Sequence, residues 1–264
     1  MPIQARVGII GGNGWLGNAI ASSAISAGSI DPASLSLSSR SNSRGADALA
    51  GAYWTHDNAD LARQSDVIVL SVRPDQFAAV DIDARGKLVM SVMAGVPIRT
   101  LATRTGADRI IRAMPNAAAS LAKSFTPWFA TLTVTPEDKR IARTLFESCG
   151  DTDEVLEEGH IDYCAGLTGS GAAFPALLAQ AMIEHAVAQG LPPAFARRAA
   201  QGVLVNASQL LAASDDPAPI VQAMIDYRGT TAAALQAMID GGFKTAVGAG
   251  LEAAAARSAA MAAD

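Results

Sequence analysis

Three glycines near the N-terminus are spaced to bind phosphate. Gly12-Asn13-Gly14-Trp15-Leu16-Gly17 has the pattern G-x-G-x-x-G and stands between an apolar run, Val7–Ile10, and a helical run, Leu16–Ala27. In such a turn the first glycine permits a tight bend, the second lets the backbone approach a pyrophosphate, and the third lets helix pack on strand. The helix N-terminus then offers free N–H groups to the phosphates. The segment is predicted to bind a dinucleotide, the alternative being a tight turn without a ligand.

The segment after the second predicted strand indicates which dinucleotide. Sites for NAD usually place an acid about 20 residues after the glycines, where it binds the ribose 2′-hydroxyl. No acid stands between Asp31 and Asp47, and the segment reads Ser38-Ser39-Arg40-Ser41-Asn42-Ser43-Arg44. Hydroxyl and guanidinium groups of this kind bind a 2′-phosphate. We therefore predict NADP (NADPH) as the cofactor, with a solvated polar loop as the alternative reading.

Short β-rich runs alternate with helical runs through the first half of the chain. Continuous apolar runs such as Val67–Leu70 are typical of strands buried on both faces of a parallel sheet. This order predicts right-handed βαβ units and an α/β, Rossmann-type doubly wound domain. The predicted strands are Val7–Ile10, Leu35–Leu37, Val67–Val72, Leu88–Val92, Ile110–Met114 and Trp128–Val134.

From about residue 160 the chain is predicted to be all-α. Alanine, leucine and methionine recur at helical spacing, and helices are expected over Pro193–Leu211, Thr230–Asp240 and Lys244–Met261. We place the domain boundary between residues 157 and 158, giving domains 1–157 and 158–264. Helices so rich in alanine bury limited area alone, so a homodimer or higher homo-oligomer is expected to complete their core.

Composition excludes several classes of function. The net charge is −5 and Lys and Arg do not cluster, so neither nucleic acid nor an anionic membrane is an expected partner. No uninterrupted apolar run reaches the ~18 residues of a membrane span. The two cysteines, Cys149 and Cys164, are far apart in the sequence, and the N-terminus lacks a signal-peptide pattern. Both observations predict a cytoplasmic protein. His56, His160 and His185 are scattered, so no metal site is predicted.

Segments along the whole chain, taken in order, resemble the Δ1-pyrroline-5-carboxylate reductase family. The resemblance implies NADPH-dependent reduction of 1-pyrroline-5-carboxylate to L-proline, by hydride transfer to a cyclic imine, and an all-α dimerisation domain. The segments that carry it are Val7–Gly17, Ser71-Val72-Arg73-Pro74, Ser91–Val96, Arg112-Ala113-Met114-Pro115-Asn116, Gly166–Gly171, Gly229-Thr230-Thr231 and Gly241-Gly242-Phe243.

The resemblance also implies a set of cofactor-binding residues. Ser39 and Arg40 would hold the 2′-phosphate, and Asn58 would lie beside the adenosine. Asn116 would lie beside the nicotinamide ring. The remaining residues would line the pyrophosphate, the ribose and the nicotinamide: Gly12, Asn13, Gly14, Trp15, Leu16 and Gly17, then Ser71, Val72, Arg73 and Pro74, then Met93, Ala94 and Gly95.

At the substrate end the resemblance assigns fewer residues. Thr231 would hydrogen-bond the ring nitrogen of the substrate, on a loop from the second subunit. The backbone N–H groups of Thr230 and Thr231 would bind the substrate carboxylate, and Glu158 and Asp226 are also assigned to the substrate site. Taken singly, the two threonines could equally cap the next helix.

The substrate loop departs from the family pattern. Asp226-Tyr227-Arg228 stands where the family has Ser-Pro-Gly. Asp226 would either repel the substrate carboxylate, in which case Asp226→Ser lowers KM for an anionic imine, or form a compensating ion pair with Arg228, which is also new. The alternatives for function are a reductase on the same scaffold with a different imine or keto substrate, and a non-catalytic NADP-binding protein.

Overall fold

The computed structural model describes residues 2–40, 49–213 and 215–261, which form two compact units. The first comprises residues 1–172 together with 252–264, and the second comprises residues 173–251. The compact units therefore separate at 172/173 and 251/252, and the boundary at 157/158 stays a prediction. Each unit is described by itself below. The segment Ser41–Arg44, part of the predicted 2′-phosphate loop, lies outside the described residues.

The first unit is built on an eight-stranded sheet of order β3-β2-β1-β4-β5-β6-β7-β8. All neighbouring strands are parallel except β6 and β7, which are antiparallel. The strands are β1 Val7–Ile10, β2 Leu35–Ser38, β3 Tyr53–Thr55, β4 Val67–Leu70, β5 Leu88–Ser91, β6 Arg109–Ala113, β7 Ser124–Ala130 and β8 Gly150–Glu154.

This topology confirms the predicted α/β doubly wound domain followed by an all-α domain. Every residue of β1, β4 and β5 is buried, which explains why these strands are continuous apolar runs. The predicted strand Trp128–Val134 begins and ends earlier, as Ser124–Ala130, because Val134 N–H donates to the Thr131 carbonyl in a turn. The three-residue strand β3 and the polar strand β8 were not predicted from the sequence.

Between the strands of the first unit lie the helices α1 Trp15–Ser26, α2 Asn58–Gln64, α3 Ile98–Thr105 and α4 Pro136–Glu147, and α5 Glu158–Cys164 follows the last strand. A π-helical turn, Ala165–Gly169, follows α5. Helix α10, Phe243–Met261, returns the end of the chain to this unit. Short 3-10 turns at Pro32–Ser34, Pro74–Ala79 and Ala117–Leu121 complete the connections.

The second unit contains α6 Phe174–Ala188, α7 Pro193–Asn206, α8 Ala218–Asp226, α9 Thr230–Asp240 and the start of α10. The predicted helix Pro193–Leu211 ends at Asn206 and continues as a 3-10 segment, Ala207–Ala213. Among its described residues, only Ala196 and Ala200 are buried. Large apolar side chains such as Leu177 and Val205 are 67% and 66% exposed. This unit has too little core of its own to account for its apolar composition.

One helical stretch, Glu158–Ala188, is long and apolar enough to cross a membrane by length and composition alone. Only 6% of its most apolar window is buried. The sequence prediction excluded such a span because glycines, serines and charged residues interrupt the apolar runs. A helix whose apolar side packs on another chain meets the same criterion.

A buried carboxylate fastens α4 to the sheet. Asp138, 4% exposed, accepts hydrogen bonds from the backbone N–H and the hydroxyl of Thr135, which completes a capping box at the start of α4. Both of its oxygens also accept from Arg109 of β6, at 2.7 and 2.9 Å. Removing such a carboxylate leaves a part-buried guanidinium and two donors without their acceptor.

Asp138→Ala is therefore expected to lower the free energy of unfolding by about 2–4 kcal/mol. Glu137→Ala is the matched control, because Glu137 is the neighbouring residue and its side chain, 63% exposed, pairs only with Arg140. That change is expected to cost less than about 1 kcal/mol. Urea unfolding monitored by circular dichroism measures the free energy of unfolding of both variants. Equal decreases in that free energy would contradict the structural role of Asp138.

Candidate active site

A cleft of about 470 Å³ opens where β1, β2 and β4 end. It lies at the switch point of the sheet, where the chain order reverses on either side of β1, which is where such sheets bind ligands. Its lining residues are Ile10, Gly11, Asn13, Gly14, Trp15, Ser38, Ser39, Arg40, His56, Asn58, Ser71, Val72, Arg73, Gln76, Ala79 and Val80.

The glycine turn forms one wall of the cleft and leaves no room for side chains at its close approaches. A Cβ on Gly17 would stand 2.5 Å from the Gly11 carbonyl oxygen, and one on Gly12 would stand 2.6 Å from Leu37. Gly14 is the N-cap of α1, and no side chain caps this helix. The first N–H groups of α1 are thus available to a phosphate, as predicted for a pyrophosphate cradle.

The end of β2 forms the second wall and is joined to the turn between β3 and α2. The Ser38 hydroxyl donates to the amide oxygen of Asn58 at 2.6 Å, so the Asn58 NH₂ group is left for a ligand. His56 Nδ1 lies 2.6 Å from the Ser39 carbonyl oxygen. Arg40 is exposed at the rim. Ser39, Arg40 and Asn58, which the sequence analysis assigned to the 2′-phosphate and the adenosine, all line this cleft, and their contact with a cofactor stays a prediction.

The third wall, after β4, contains a polar atom in need of a ligand. The Ser71 hydroxyl oxygen is buried and has no hydrogen-bond partner among the described residues. Nearby Arg73 is paired with Asp75 at 3.2 Å. Since a buried hydroxyl without a partner costs free energy, a bound polar group that satisfied Ser71 would recover it. This atom and the cradle of α1 fit a dinucleotide.

Several residues assigned to the cofactor do not line this cleft. Gly12 belongs to the glycine turn, and Leu16 and Gly17 belong to the first turn of α1, but none of the three is a lining residue. Pro74 begins the 3-10 turn after β4, and Met93, Ala94 and Gly95 follow β5. The Asn116 side chain is engaged in the protein, since its Oδ1 accepts from Ala118 N–H at 2.9 Å and its Nδ2 donates to the Thr168 carbonyl at 3.0 Å. Their contact with a cofactor stays a prediction.

Glu158, assigned to the substrate, lies in an ionic cluster instead of the cleft. The buried Arg112 donates to Glu158 at 2.7 Å and to Asp162 at 2.9 Å. Glu158 also accepts from Ile98 N–H at 2.8 Å, and Asp162 accepts from Ser258 of α10 at 3.1 Å. The sequence analysis missed this cluster, although Arg112 opens one of the segments that carry the family resemblance.

At the substrate end, Thr230 and Thr231 are the first two residues of α9. The N-cap, Gly229, provides no side-chain hydrogen bond, so the N–H groups of this first turn are open to a carboxylate. Both threonines are exposed in the single chain. This first turn thus has the donors that the sequence analysis assigned to it.

Of the two arrangements expected for Asp226, the ion pair with Arg228 is not found among the described residues. Asp226 belongs to α8, not to a loop, and accepts from Gln222 one turn earlier at 2.8 Å. Arg228 adopts a left-handed backbone with φ of 56°. Within the part of the chain that the structure describes, no cation pairs with the Asp226 carboxylate.

The described residues contain neither a metal-binding cluster nor a reactive thiol. No three His, Cys, Asp or Glu side chains within them lie close enough together to hold a metal ion. Burial raises the pKa of the Cys149 thiol and of the Cys164 thiol, which disfavours the reactive thiolate. The chemistry supported by the cleft is binding and positioning of a nucleotide.

The unpaired Ser71 hydroxyl yields a prediction in which stability and binding change in opposite directions. Ser71→Ala removes an unsatisfied buried hydroxyl, so the melting temperature should stay unchanged or rise. The affinity for NADP⁺ should fall about three- to tenfold, because one hydrogen bond to the ligand is lost. Differential scanning fluorimetry and calorimetric titration measure the two quantities.

Ser65→Ala is the matched control for Ser71→Ala. The buried Ser65 hydroxyl donates to the Leu61 carbonyl at 2.8 Å, outside the cleft. Its loss should cost about 1 kcal/mol of stability without changing the affinity for NADP⁺. A destabilised Ser71→Ala variant with unchanged affinity would show that Ser71 serves the fold and not the ligand.

Comparison with known families assigns both parts of the chain. Residues 158–261 match the family described as pyrroline-5-carboxylate reductase dimerisation. Residues 6–95 match the family described as NADP oxidoreductase coenzyme F420-dependent.

Individual relatives match the chain over nearly its whole length. The pyrroline-5-carboxylate reductase of Glycine max is 32% identical over 97% of both chains, and that of Escherichia coli is 31% identical over 93% of this chain and 94% of its own. The crystal structure of Plasmodium falciparum pyrroline carboxylate reductase with NADP bound has a TM-score of 0.84 and 25% identity, covering 99% and 100% of the two chains. The structure of a pyrroline-5-carboxylate reductase from Coxiella burnetii has a TM-score of 0.85 and 28% identity, covering 98% and 99%. The chain belongs to the pyrroline-5-carboxylate reductase family.

Proposed function

We propose that this chain reduces 1-pyrroline-5-carboxylate to L-proline with NADPH. The observation that carries the proposal is similarity along the entire chain to reductases of this name, at 32% identity over 97% of both sequences for the Glycine max enzyme. The dinucleotide cleft at the end of β1, β2 and β4 is consistent with it. Bound NADPH supplies a hydride to the carbon of the substrate's C=N bond.

The residues of the cleft hold the cofactor. The N–H groups at the start of α1 bind the pyrophosphate, and the Ser71 hydroxyl donates to the ribose or nicotinamide portion. Ser39 and Arg40 bind the 2′-phosphate, which no carboxylate repels in the described part of the cleft lining. The cofactor is therefore NADPH in preference to NADH.

The first turn of α9 holds the substrate. Its N–H groups at Thr230 and Thr231 bind the substrate carboxylate, and the Thr231 hydroxyl hydrogen-bonds the ring nitrogen. Hydride transfer to an iminium carbon requires proximity, orientation and exclusion of water, and no separate nucleophile. Thr231 is accordingly the residue that we propose to be catalytic.

A homodimer is the smallest assembly that meets these requirements. The match to a dimerisation family supports homo-oligomerisation, and the exposed apolar side chains of residues 173–251 require a covering surface. We propose that Thr231 of one copy faces the nicotinamide bound by another. We also propose that the enzyme acts in the cytoplasm, where NADPH is available as a reductant.

The test of this function is NADPH consumption with 1-pyrroline-5-carboxylate, with L-proline identified as the product. Other cyclic imines and keto acids are assayed in parallel. Thr231→Val should lower kcat/KM by about tenfold or more and leave the affinity for NADP⁺ unchanged, because the lost hydrogen bond lies on the substrate. NADP⁺ binding without turnover of any compound would favour a non-catalytic protein instead.

Cofactor choice should depend on Arg40. Arg40→Asp removes a charge-assisted hydrogen bond worth about 1.5–3 kcal/mol and adds a repelling charge, so the preference for NADPH should fall by at least tenfold. Arg143→Asp, on α4 and outside the cleft lining, makes the same change in net charge and should leave the preference intact. Ratios of kcat/KM for the two cofactors measure the effect. Equal use of NADPH and NADH by the unaltered chain would contradict the assignment.

The unpaired carboxylate of Asp226 should weaken binding of an anionic substrate. Asp226→Ser is expected to lower KM for 1-pyrroline-5-carboxylate about two- to fivefold, because an exposed like charge near the substrate carboxylate is removed. Asp240→Ser is the matched control, since Asp240 ends α9 and likewise accepts from a glutamine one turn earlier at 2.8 Å.

A different outcome for Asp226→Ser would change the substrate that we assign to the enzyme. If Asp226→Ser raises KM for every carboxylate-bearing imine, or changes none, Asp226 does not oppose the substrate's charge. A same-scaffold reductase acting on an uncharged or amine-bearing imine then becomes the better assignment, and the compound panel identifies it.

A further inference from the structure

His56 occupies a position in the cleft that the family resemblance does not explain. It lies between β3 and α2, is exposed, and lines the cleft beside Ser39 and Arg40. Its Nδ1 lies 2.6 Å from the Ser39 carbonyl oxygen. Because a carbonyl oxygen only accepts hydrogen bonds, this contact requires the proton of the neutral ring to lie on Nδ1. The other nitrogen, Nε2, then donates only when the ring gains a second proton.

The elements around His56 contribute few charged groups to the described cleft lining. The β1–α1 turn contributes no titratable group to the cleft lining. On the His56 side, the neighbouring Asp57 is already engaged, accepting from Ala59 and Asp60 N–H at 2.8 and 3.1 Å and lying 3.9 Å from Arg63.

The cleft lining itself carries positive charge. The other charged side chains in the described lining are Arg40 and Arg73, and Arg73 is paired with Asp75. No carboxylate lines this part of the cleft to balance a protonated His56. A bound phosphate would therefore be its counter-ion.

We propose that His56 is a specificity-determining residue that binds the 2′-phosphate of NADP through Nε2–H. Ser39 holds the ring through Nδ1, so the ring is oriented before the ligand arrives. The ring takes up one proton from solvent when the 2′-phosphate binds, and releases it when the nucleotide leaves. This inference rests on the proposed use of NADPH and adds that selectivity for NADP over NAD depends on pH.

The sign of that dependence distinguishes His56 from the phosphate itself. Histidine ordinarily gains its charge as pH falls between about 8 and 5, so lower pH should tighten NADP⁺ binding. A phosphate monoester loses its last proton near pH 6, which by itself would tighten binding as pH rises. NAD⁺ lacks the 2′-phosphate, so its affinity should show neither effect.

The experiment is calorimetric titration of the full-length protein with NADP⁺ and NAD⁺ at pH 6.5 and pH 8.5. Each titration is run in two phosphate-free buffers of different protonation enthalpy, which reports proton uptake. The variants are His56→Asn, whose amide NH₂ can still donate to the Ser39 carbonyl but has no second ring nitrogen, and His56→Ala, which loses both contacts.

For the unaltered chain, NADP⁺ affinity is expected to fall about three- to tenfold from pH 6.5 to pH 8.5, with proton uptake on binding at intermediate pH. NAD⁺ affinity should stay constant. His56→Asn should abolish the fall in affinity and the proton uptake, leaving at most the opposite dependence of the phosphate itself, while keeping NADP⁺ preferred through Arg40. His56→Ala should lose the same effects and bind NADP⁺ more weakly than His56→Asn at both pH values.

Two failures are distinguishable. A clear preference for NADP⁺ with the same pH profile in the unaltered chain and in His56→Asn would overturn the role of His56 and leave the proposed function standing. Equal affinities for NADP⁺ and NAD⁺ at both pH values would overturn the cofactor assignment, and the role of His56 with it. Unchanged melting temperatures of the variants show that the differences do not come from unfolding.

Discussion

The register of three parallel strands is the constraint on which the site depends. Ile10, the last residue of β1, is paired with Ser38 of β2 on one side and with Leu70 of β4 on the other. The next residues of each strand are then joined by hydrogen bonds, since Gly11 N–H donates to the Ser38 carbonyl at 3.1 Å and Ser71 N–H to the Ile10 carbonyl at 2.9 Å. A register shift of one residue in any of these strands would move each of its side chains to the opposite face of the sheet, and the cleft would no longer form. The catalytic scaffold is thus an outcome of strand pairing among buried apolar residues.

A second constraint ties the end of the chain to this sheet. Arg112 of β6 is 1% exposed and faces two carboxylates, Glu158 and Asp162, each about one-third exposed. Removing either carboxylate alone would leave the buried guanidinium of Arg112 less well compensated. The resulting loss of stability exceeds the net stabilisation that the intact ion pair provides. Because Ser258 of α10 donates to Asp162, the cluster also orients the C-terminal helix. Glu158 is therefore engaged by the fold itself, whatever contact it makes with substrate.

Local rules explain why some parts of the molecule were predictable and others were not. Close backbone approach allows few residue types, so Gly12-Asn13-Gly14-Trp15-Leu16-Gly17 and the apolar strands could be recognised from sequence. Contacts between residues distant in sequence could not be recognised in this way. Arg112 and Glu158 are 46 residues apart, and Ser258 and Asp162 are 96 residues apart. His56 and Gln76 had no local signal, because only the pairing of β2 with β3 and the turn after β4 bring them to the cleft. Asp226 was placed on a loop, but it is the last residue of α8, where its carboxylate accepts a hydrogen bond from Gln222 one turn earlier.

Alanine-rich helices make assembly a condition of stability as well as of catalysis. An alanine side chain contributes little apolar area, and in residues 173–251 the two buried side chains of the described part are both alanines. Several larger apolar groups, such as Leu177, Val203 and Val205, are at least half exposed in the single chain. The match to a dimerisation family supports their burial against another copy, which would make the free energy of folding depend on protein concentration. Since Thr230 and Thr231 belong to the same unit, covering these helices with a second copy would also bring the proposed substrate-binding turn to the proposed cofactor site of that copy.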